Sequence, residues 1–157
     1  MFPQEQEEHI RGLAKQEIDY FKNSILLREY LQRARYRLTT AQILALNTTP
    51  ITIVPAYLLS LIIVEGITAK NNFNTTAYTG GNNLEFRYTG AAGAKVTADM
   101  ASTFINSSAT AYDHVAGVVT ELTPVINTPI VVRVPTANPA TGDGSIDLFI
   151  KYRVVTF

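Results

Sequence analysis

Few residues in this 157-residue chain have the types and spacing that chemistry requires. There is no Cys, which excludes thiolate nucleophiles, disulfides, zinc–thiolate sites and iron–sulfur clusters. There are two His, His9 and His114, too few for a multi-histidine metal site within one chain. Asp113 and His114 are adjacent and could begin an acid–base pair. The Ser residues lie in no nucleophile-elbow sequence, and the acid–base arrangement needs a positioned third member, so hydrolase chemistry is not expected. Asp143 and Asp147 flank Gly144-Ser145-Ile146. They offer fewer oxygens than a calcium loop needs, so a turn is expected there, with an ion only if subunits share it. Gly90-Ala91-Ala92-Gly93-Ala94-Lys95-Val96 has the glycines of a phosphate loop. But Ala94 separates Gly93 from Lys95, and Val96 stands where the loop needs Ser or Thr, so a hairpin loop is the better account. No metal or cofactor is expected.

Charge excludes a further class. Lys plus Arg is 13 and Asp plus Glu is 13. A general nucleic-acid binder shows a basic excess, and this chain has none. Arg33, Arg35 and Arg37 are offset by Glu5, Glu7, Glu8 and Glu29, which favours a solvated helix end over a binding arm. The acidic start, Met-Phe-Pro-Gln-Glu-Gln-Glu-Glu, is unlike a signal peptide. Without one, the Asn47, Asn74 and Asn106 acceptor triplets are expected to be surface loops rather than glycosylation sites. The greasiest run, residues 51–64, contains Pro55 and is shorter than the roughly 20 residues that span a bilayer. It belongs in a core, and a soluble protein is expected.

The elements that must carry these residues fall into two unlike parts. Residues 1–38 hold half of all charges, and no Thr precedes Thr39. Helix formers give way to strand formers at that point. The expectation is an N-terminal helical arm over residues 1–38 and a β domain over residues 39–157. In the arm, Pro3 suits a first turn, and the early Glu and late Arg complement the helix dipole. Ile10, Ala14, Ile18, Phe21 and Ile25 make one apolar stripe, and Leu27, Leu31, Ala34 and Leu38 a second, out of phase with it. A straight helix of this length reaches about 50 Å, beyond the width of a compact domain. Leaving Ile10, Ile18, Phe21, Ile25, Leu27 and Leu31 in water would forfeit about 9–18 kcal/mol before ordering costs. These six are the candidate protein interface, covered by other copies or by a larger partner.

The β part shows period-two alternation. Ile146, Leu148, Ile150, Tyr152 and Val154 share one face of a strand over residues 145–157, with Asp147, Lys151 and Arg153 on the other. Leu84, Phe86 and Tyr88 are expected inward and Glu85 and Arg87 outward; Ile130, Val132 and Val134 make a third strand. Residues 51–54 and 57–68 give a short and a long strand, broken at Pro55, which marks an edge or corner. Weaker strands are expected near residues 74–78, 94–97 and 112–119. Short helices are expected at 40–46 and 98–105, capped by Thr40 and Thr97. Seven or eight short strands with Gly- and Asn-rich turns predict a two-sheet antiparallel sandwich.

Two stretches carry a resemblance. Tyr36 to Pro55 reads Tyr-Arg-Leu-Thr-Thr-Ala-Gln-Ile-Leu-Ala-Leu-Asn-Thr-Thr-Pro-Ile-Thr-Ile-Val-Pro, and Gly142 to Val155 reads Gly-Asp-Gly-Ser-Ile-Asp-Leu-Phe-Ile-Lys-Tyr-Arg-Val-Val. Both resemble small structural proteins of tailed bacteriophages that decorate or cement the head. The turn after Val54-Pro55-Ala56 departs from that family's Pro-Gly-Ala-Gly-like pattern, since Tyr57-Leu58-Leu59 follows. The resemblance implies a mainly β, jelly-roll-like antiparallel sandwich, homotrimers at threefold positions of the shell, the major capsid protein as partner and no enzymatic activity. It implies a place on the virion surface after synthesis in the host cytoplasm, with no direct contact to nucleic acid or membrane. Another virion part remains the alternative: a head fibre, a tail component or a receptor-binding knob whose Tyr57, Tyr78, Tyr88 and Tyr112 stack on sugars.

Overall fold

A computed structural model describes residue 15 and residues 30–80, 83–90, 92–118 and 125–156. The chain divides into two units, Met1–Tyr30 and Leu31–Phe157, and the described residues fall almost entirely in the second. That unit is a β-sandwich of two antiparallel sheets. Its elements in chain order are β1 (Tyr30–Leu38), α1 (Thr40–Ile43), β2 (Ile51–Val54), β3 (Ser60–Asn72), β4 (Glu85–Tyr88), α2 (Ser102–Ile105), β5 (Ala111–Ala116), β6 (Ile130–Arg133) and β7 (Ser145–Thr156). One sheet has the order β1-β7-β3-β5, the other β2-β6-β4. The pairing is nested. The first strand lies beside the last, β2 beside β6, β3 beside β5, and β4 is bridged by Lys95 through Arg87.

Residues 30–38 are a strand, which corrects the expected helical arm at its C-terminal end. Arg33, Arg35 and Arg37 recur every second residue and face out, while Ala34, Tyr36 and Leu38 turn toward the core. The Leu31–Ala34–Leu38 spacing also fits a helix, and pairing with β7 decides between the two periods. Leu31 is therefore an outward strand residue, 48% exposed, and the sandwich begins at Tyr30 rather than at Thr39. Of the other candidate interface residues, Ile10, Ile18, Phe21, Ile25 and Leu27 lie outside the described residues.

The core follows the alternation. Ile146, Leu148, Ile150 and Tyr152 of β7 are buried, as are Leu84, Phe86, Tyr88, Ile130, Val132 and Val134 from the opposite layer. In β3 the inward parity switches from Ile62 and Val64 to Ile67 and Ala69. A bulge between Val64 and Gly66 makes that switch, because one extra residue lets both halves face the core. A Cβ at Gly66 would lie 3.0 Å from the His114 ring, so any larger residue there has to shift that ring slightly. The long strand runs from Ser60 to Asn72, later than expected, because Leu59 leaves strand geometry at φ +51°. The Tyr88 hydroxyl donates to the Ile62 carbonyl and ties the two sheets together. Burial pushes the Tyr88 hydroxyl up to about 12.

The short helices close the ends. Thr39, not Thr40, caps α1: its hydroxyl accepts from the Gln42 amide, and the Gln42 side chain accepts from the Thr39 amide. Thr40 instead donates to the Gly144 carbonyl at 2.8 Å. At α2, Asn83 rather than Thr97 supplies the cap, accepting from the Ser102 amide at 3.0 Å. Of the three weaker strands expected, residues 112–119 correspond to β5, and residues 74–78 form none. Residues 94–97 give isolated bridges, Lys95 to Arg87 and Thr97 to Gly117. Pro55 follows β2, an edge strand, as its missing donor requires.

Candidate functional site

The residues first singled out for chemistry do not come together. Successive strand residues point to opposite faces, so Asp113 and His114 diverge along β5. Asp113 accepts from the His114 backbone N–H at 2.8 Å, while the His114 ring Nδ1 lies 2.9 Å from the Thr68 hydroxyl. The Asp143 carboxylate is held by the Thr75 and Thr76 amides, the Thr75 hydroxyl and the Asn74 side chain. Those bonds hold its carboxyl down at about 2, the Thr75 hydroxyl contributing most. Asp147 faces Arg37 instead. Among the described residues no group of three His, Cys, Asp or Glu converges on a possible metal position. Gly90, at φ +97°, and Gly93 lie between β4 and the backbone at 94–96 that pairs back onto it, and Arg87 donates to the Gly93 carbonyl at 2.7 Å. Of the four tyrosines considered for sugar stacking, Tyr78 and Tyr88 are buried in the core, which removes them. Tyr57 and Tyr112 remain exposed, on a loop and on edge strand β5.

Two surfaces stand out, and sequence patterns showed neither. The first is an apolar tip where the β2–β3 loop meets the segment before β6. Leu58 is 81% exposed, Leu59 57% and Ile126 46%. The tip is built rather than slack. Leu59 and Asn127 sit in the left-handed region at φ +51° and +57°, where a side chain costs about 1–3 kcal/mol. The Asn127 side-chain oxygen accepts from the Leu59 amide, and the Asn127 amide donates to the Ser60 carbonyl at 3.0 Å. The Ser60 and Thr128 hydroxyls donate back to the Leu58 and Ile126 carbonyls, both at 3.0 Å. Below the tip, the Tyr57 and Tyr152 hydroxyls lie 3.0 Å apart, and burial first, then Tyr57, pushes Tyr152 up to about 12. The departure at Tyr57-Leu58-Leu59 from the resembled family's turn was the one sequence signal for this site.

The second surface is the outer face of the four-stranded sheet. It gathers Arg33, Arg35 and Arg37 of β1, Lys151 and Arg153 of β7 and Lys70 of β3. Its carboxylates are Asp147 and Glu65. Arg37 grips Asp147 with two parallel bonds, Nε at 2.8 Å and Nη2 at 2.9 Å, and Asn72 adds a third at 2.8 Å. The Arg37 guanidinium holds the Asp147 carboxyl well below the usual range and is itself raised. Arg153 pairs with Glu65 at 2.6 Å, with Lys151 at 4.0 Å from it. The Arg35 guanidinium lies 5.2 Å from the Phe149 ring centre, and the Lys70 ammonium 5.9 Å from that of Tyr112. A concavity of about 530 Å³ opens between Arg33, Arg35, Glu65, Thr68, His114 and Phe149.

Among the described residues no helix is long and apolar enough to cross a membrane. No protein-family model matches the chain, and no curated protein matches it. Among solved structures it is similar to a chain of the cyanophage Pam1 capsid asymmetric unit, at 18% identity and a TM-score of 0.44, over 78% of this chain and 82% of that one.

Proposed function

We propose that this chain is a structural protein of a tailed-bacteriophage virion. It binds across neighbouring capsid subunits as a decoration or cement-type protein, as a homotrimer and without catalysis. The nested strand order supports reading the sandwich as a jelly roll, an architecture that recurs in viral capsid and lectin domains. Architecture alone does not assign function, so the site must. The observation that carries the reading is the apolar tip. Leu58, Leu59 and Ile126 are held out in water by strained backbone and a closed set of hydrogen bonds. Covering such side chains yields about 1.5–3 kcal/mol each, and a pre-ordered tip forfeits little entropy on docking. Several tips per oligomer would multiply weak contacts into firm attachment.

The test is recovery of the full chain with DNA-filled heads at about the copy number of the capsid subunit, with light scattering giving a trimer mass. Leu58→Asp should keep its β spectrum and lose head binding, because a charge would have to be buried unpaired. Binding on a glycan array without head binding would favour the receptor-binding alternative. Turnover of an ester, glycoside or nucleotide would overturn the non-catalytic reading.

A further inference from the structure

We propose that the outer face of the four-stranded sheet docks an extended, carboxylate-rich segment of a partner protein, laid alongside β1 so that its acidic side chains meet Arg33 and Arg35. The proposal rests on the function proposed above and names the chemistry of the partner surface. It is carried by charge placement. Residues 30–157 hold nine Lys/Arg and seven Asp/Glu. Six of those nine cations stand on this one face with two of the seven carboxylates, in a chain whose formal charge is zero. Both carboxylates are already engaged, Asp147 by Arg37 and Glu65 by Arg153. Arg33 has no ion pair among the described residues, and Arg35 reaches Asp147 only at 3.5 Å.

Three features favour protein carboxylates over a nucleic acid. Arg37 on Asp147 is the bidentate geometry in which guanidinium groups receive carboxylates, already realised on this face. Single-stranded nucleic acid stacks its bases on aromatic faces, and at Phe149 and Tyr112 a base would compete with Arg35 and Lys70, which approach those rings at 5.2 and 5.9 Å. Finally, β1 is an edge: among the described residues it pairs with β7 alone. An edge strand offers unpaired N–H and C=O groups to an added strand. Arg33 and Arg35 are two residues apart, about 6.6 Å, which is also the same-face repeat of any strand laid beside them. Opposite charges across adjacent strands then attract, and like charges repel.

The test uses the full chain and two fluorescent probes of equal charge, a peptide of alternating Glu and Thr and an oligodeoxythymidine. The wild type should bind the peptide, with affinity falling as salt rises. Arg33→Glu combined with Arg35→Glu should weaken peptide binding at least tenfold while leaving the circular dichroism spectrum and Tm unchanged. No peptide binding, or equal binding by wild type and variant, overturns the proposal. So does tighter, variant-sensitive binding of the oligonucleotide, which assigns the face to nucleic acid. So does a changed oligomeric mass in the variant, which assigns it to self-association. A variant that still decorates heads normally also overturns it, and leaves the virion reading standing. Failure of the wild type to bind heads, with peptide binding intact, does the reverse.

Discussion

The two sheets of this sandwich treat charge in opposite ways on their outer faces. On the three-stranded sheet, Glu85 points away from the core yet is 4% exposed, and the side chains of Arg87, Lys95 and Arg133 gather around it. Arg87 reaches it at 2.8 Å, Lys95 at 3.1 Å and Arg133 at 3.8 Å, and Lys95 also holds Asp99 at 2.8 Å. Arg87, the nearest of these, holds the Glu85 carboxyl below its ordinary value. Three cations and two carboxylates converge there. On the four-stranded sheet, six cations face two carboxylates, and Arg33 has no ion pair among the described residues. Charges matched within the chain serve the fold, whereas charges left over are available to a partner.

That contrast can be broken at several points. The largest effect is expected from removing residues 1–38. The loss of β1 uncovers β7, takes buried Leu38 out of the core and leaves Asp147 without Arg37. Such a chain should show no cooperative melt by circular dichroism; a normal melt would mean that β1 is an accessory to the sandwich. Next is Glu85→Gln, which leaves Arg87, Lys95 and Arg133 facing one another around a neutral group. Breaking a buried pair costs about 3–5 kcal/mol, and the partial exposure of Arg87 and Lys95 sets the expectation near 3 kcal/mol in denaturant unfolding. A change below about 1 kcal/mol would show that the cluster is not a structural unit.

Asp147→Asn should cost less, about 1–2 kcal/mol, because Arg37 keeps its solvent when the carboxylate is neutralised. The same groups predict the acid response. Asp143 and Asp147 have folded values below the unfolded one, so their contribution is complete above about pH 4 and is lost as pH falls through the folded values. Acid unfolding of the wild type should steepen between about pH 4 and pH 2, and the limb should flatten in both Asp143→Asn and Asp147→Asn. The smallest effect is expected from Arg33→Ala with Arg35→Ala. Stability should change by no more than about 0.5 kcal/mol, since neither side chain supports the core. A larger loss would place these arginines in the fold and weaken their assignment to a partner.

Period-two alternation located β4, β6 and β7, because a half-buried strand must place apolar side chains on one face whatever its neighbours are. The absence of Cys excludes thiolate chemistry whatever the fold, since no fold supplies a missing functional group. Three features needed the tertiary structure. Residues 30–38 satisfy both a helical and a strand period, and the open edge of β7 selected the strand. Glu85 and Arg87 were expected outward, and they do face outward; the Lys95 and Arg133 side chains that meet Glu85 come from later in the chain. The two surfaces are assembled from distant parts, the apolar tip from residues 57–59 with 126–128 and the basic face from β1, β3 and β7. Local sequence fixes which way a side chain points along its own strand. Which strands become neighbours, and so which charges meet and which are left over, is set by long-range pairing that single-segment periodicity does not encode.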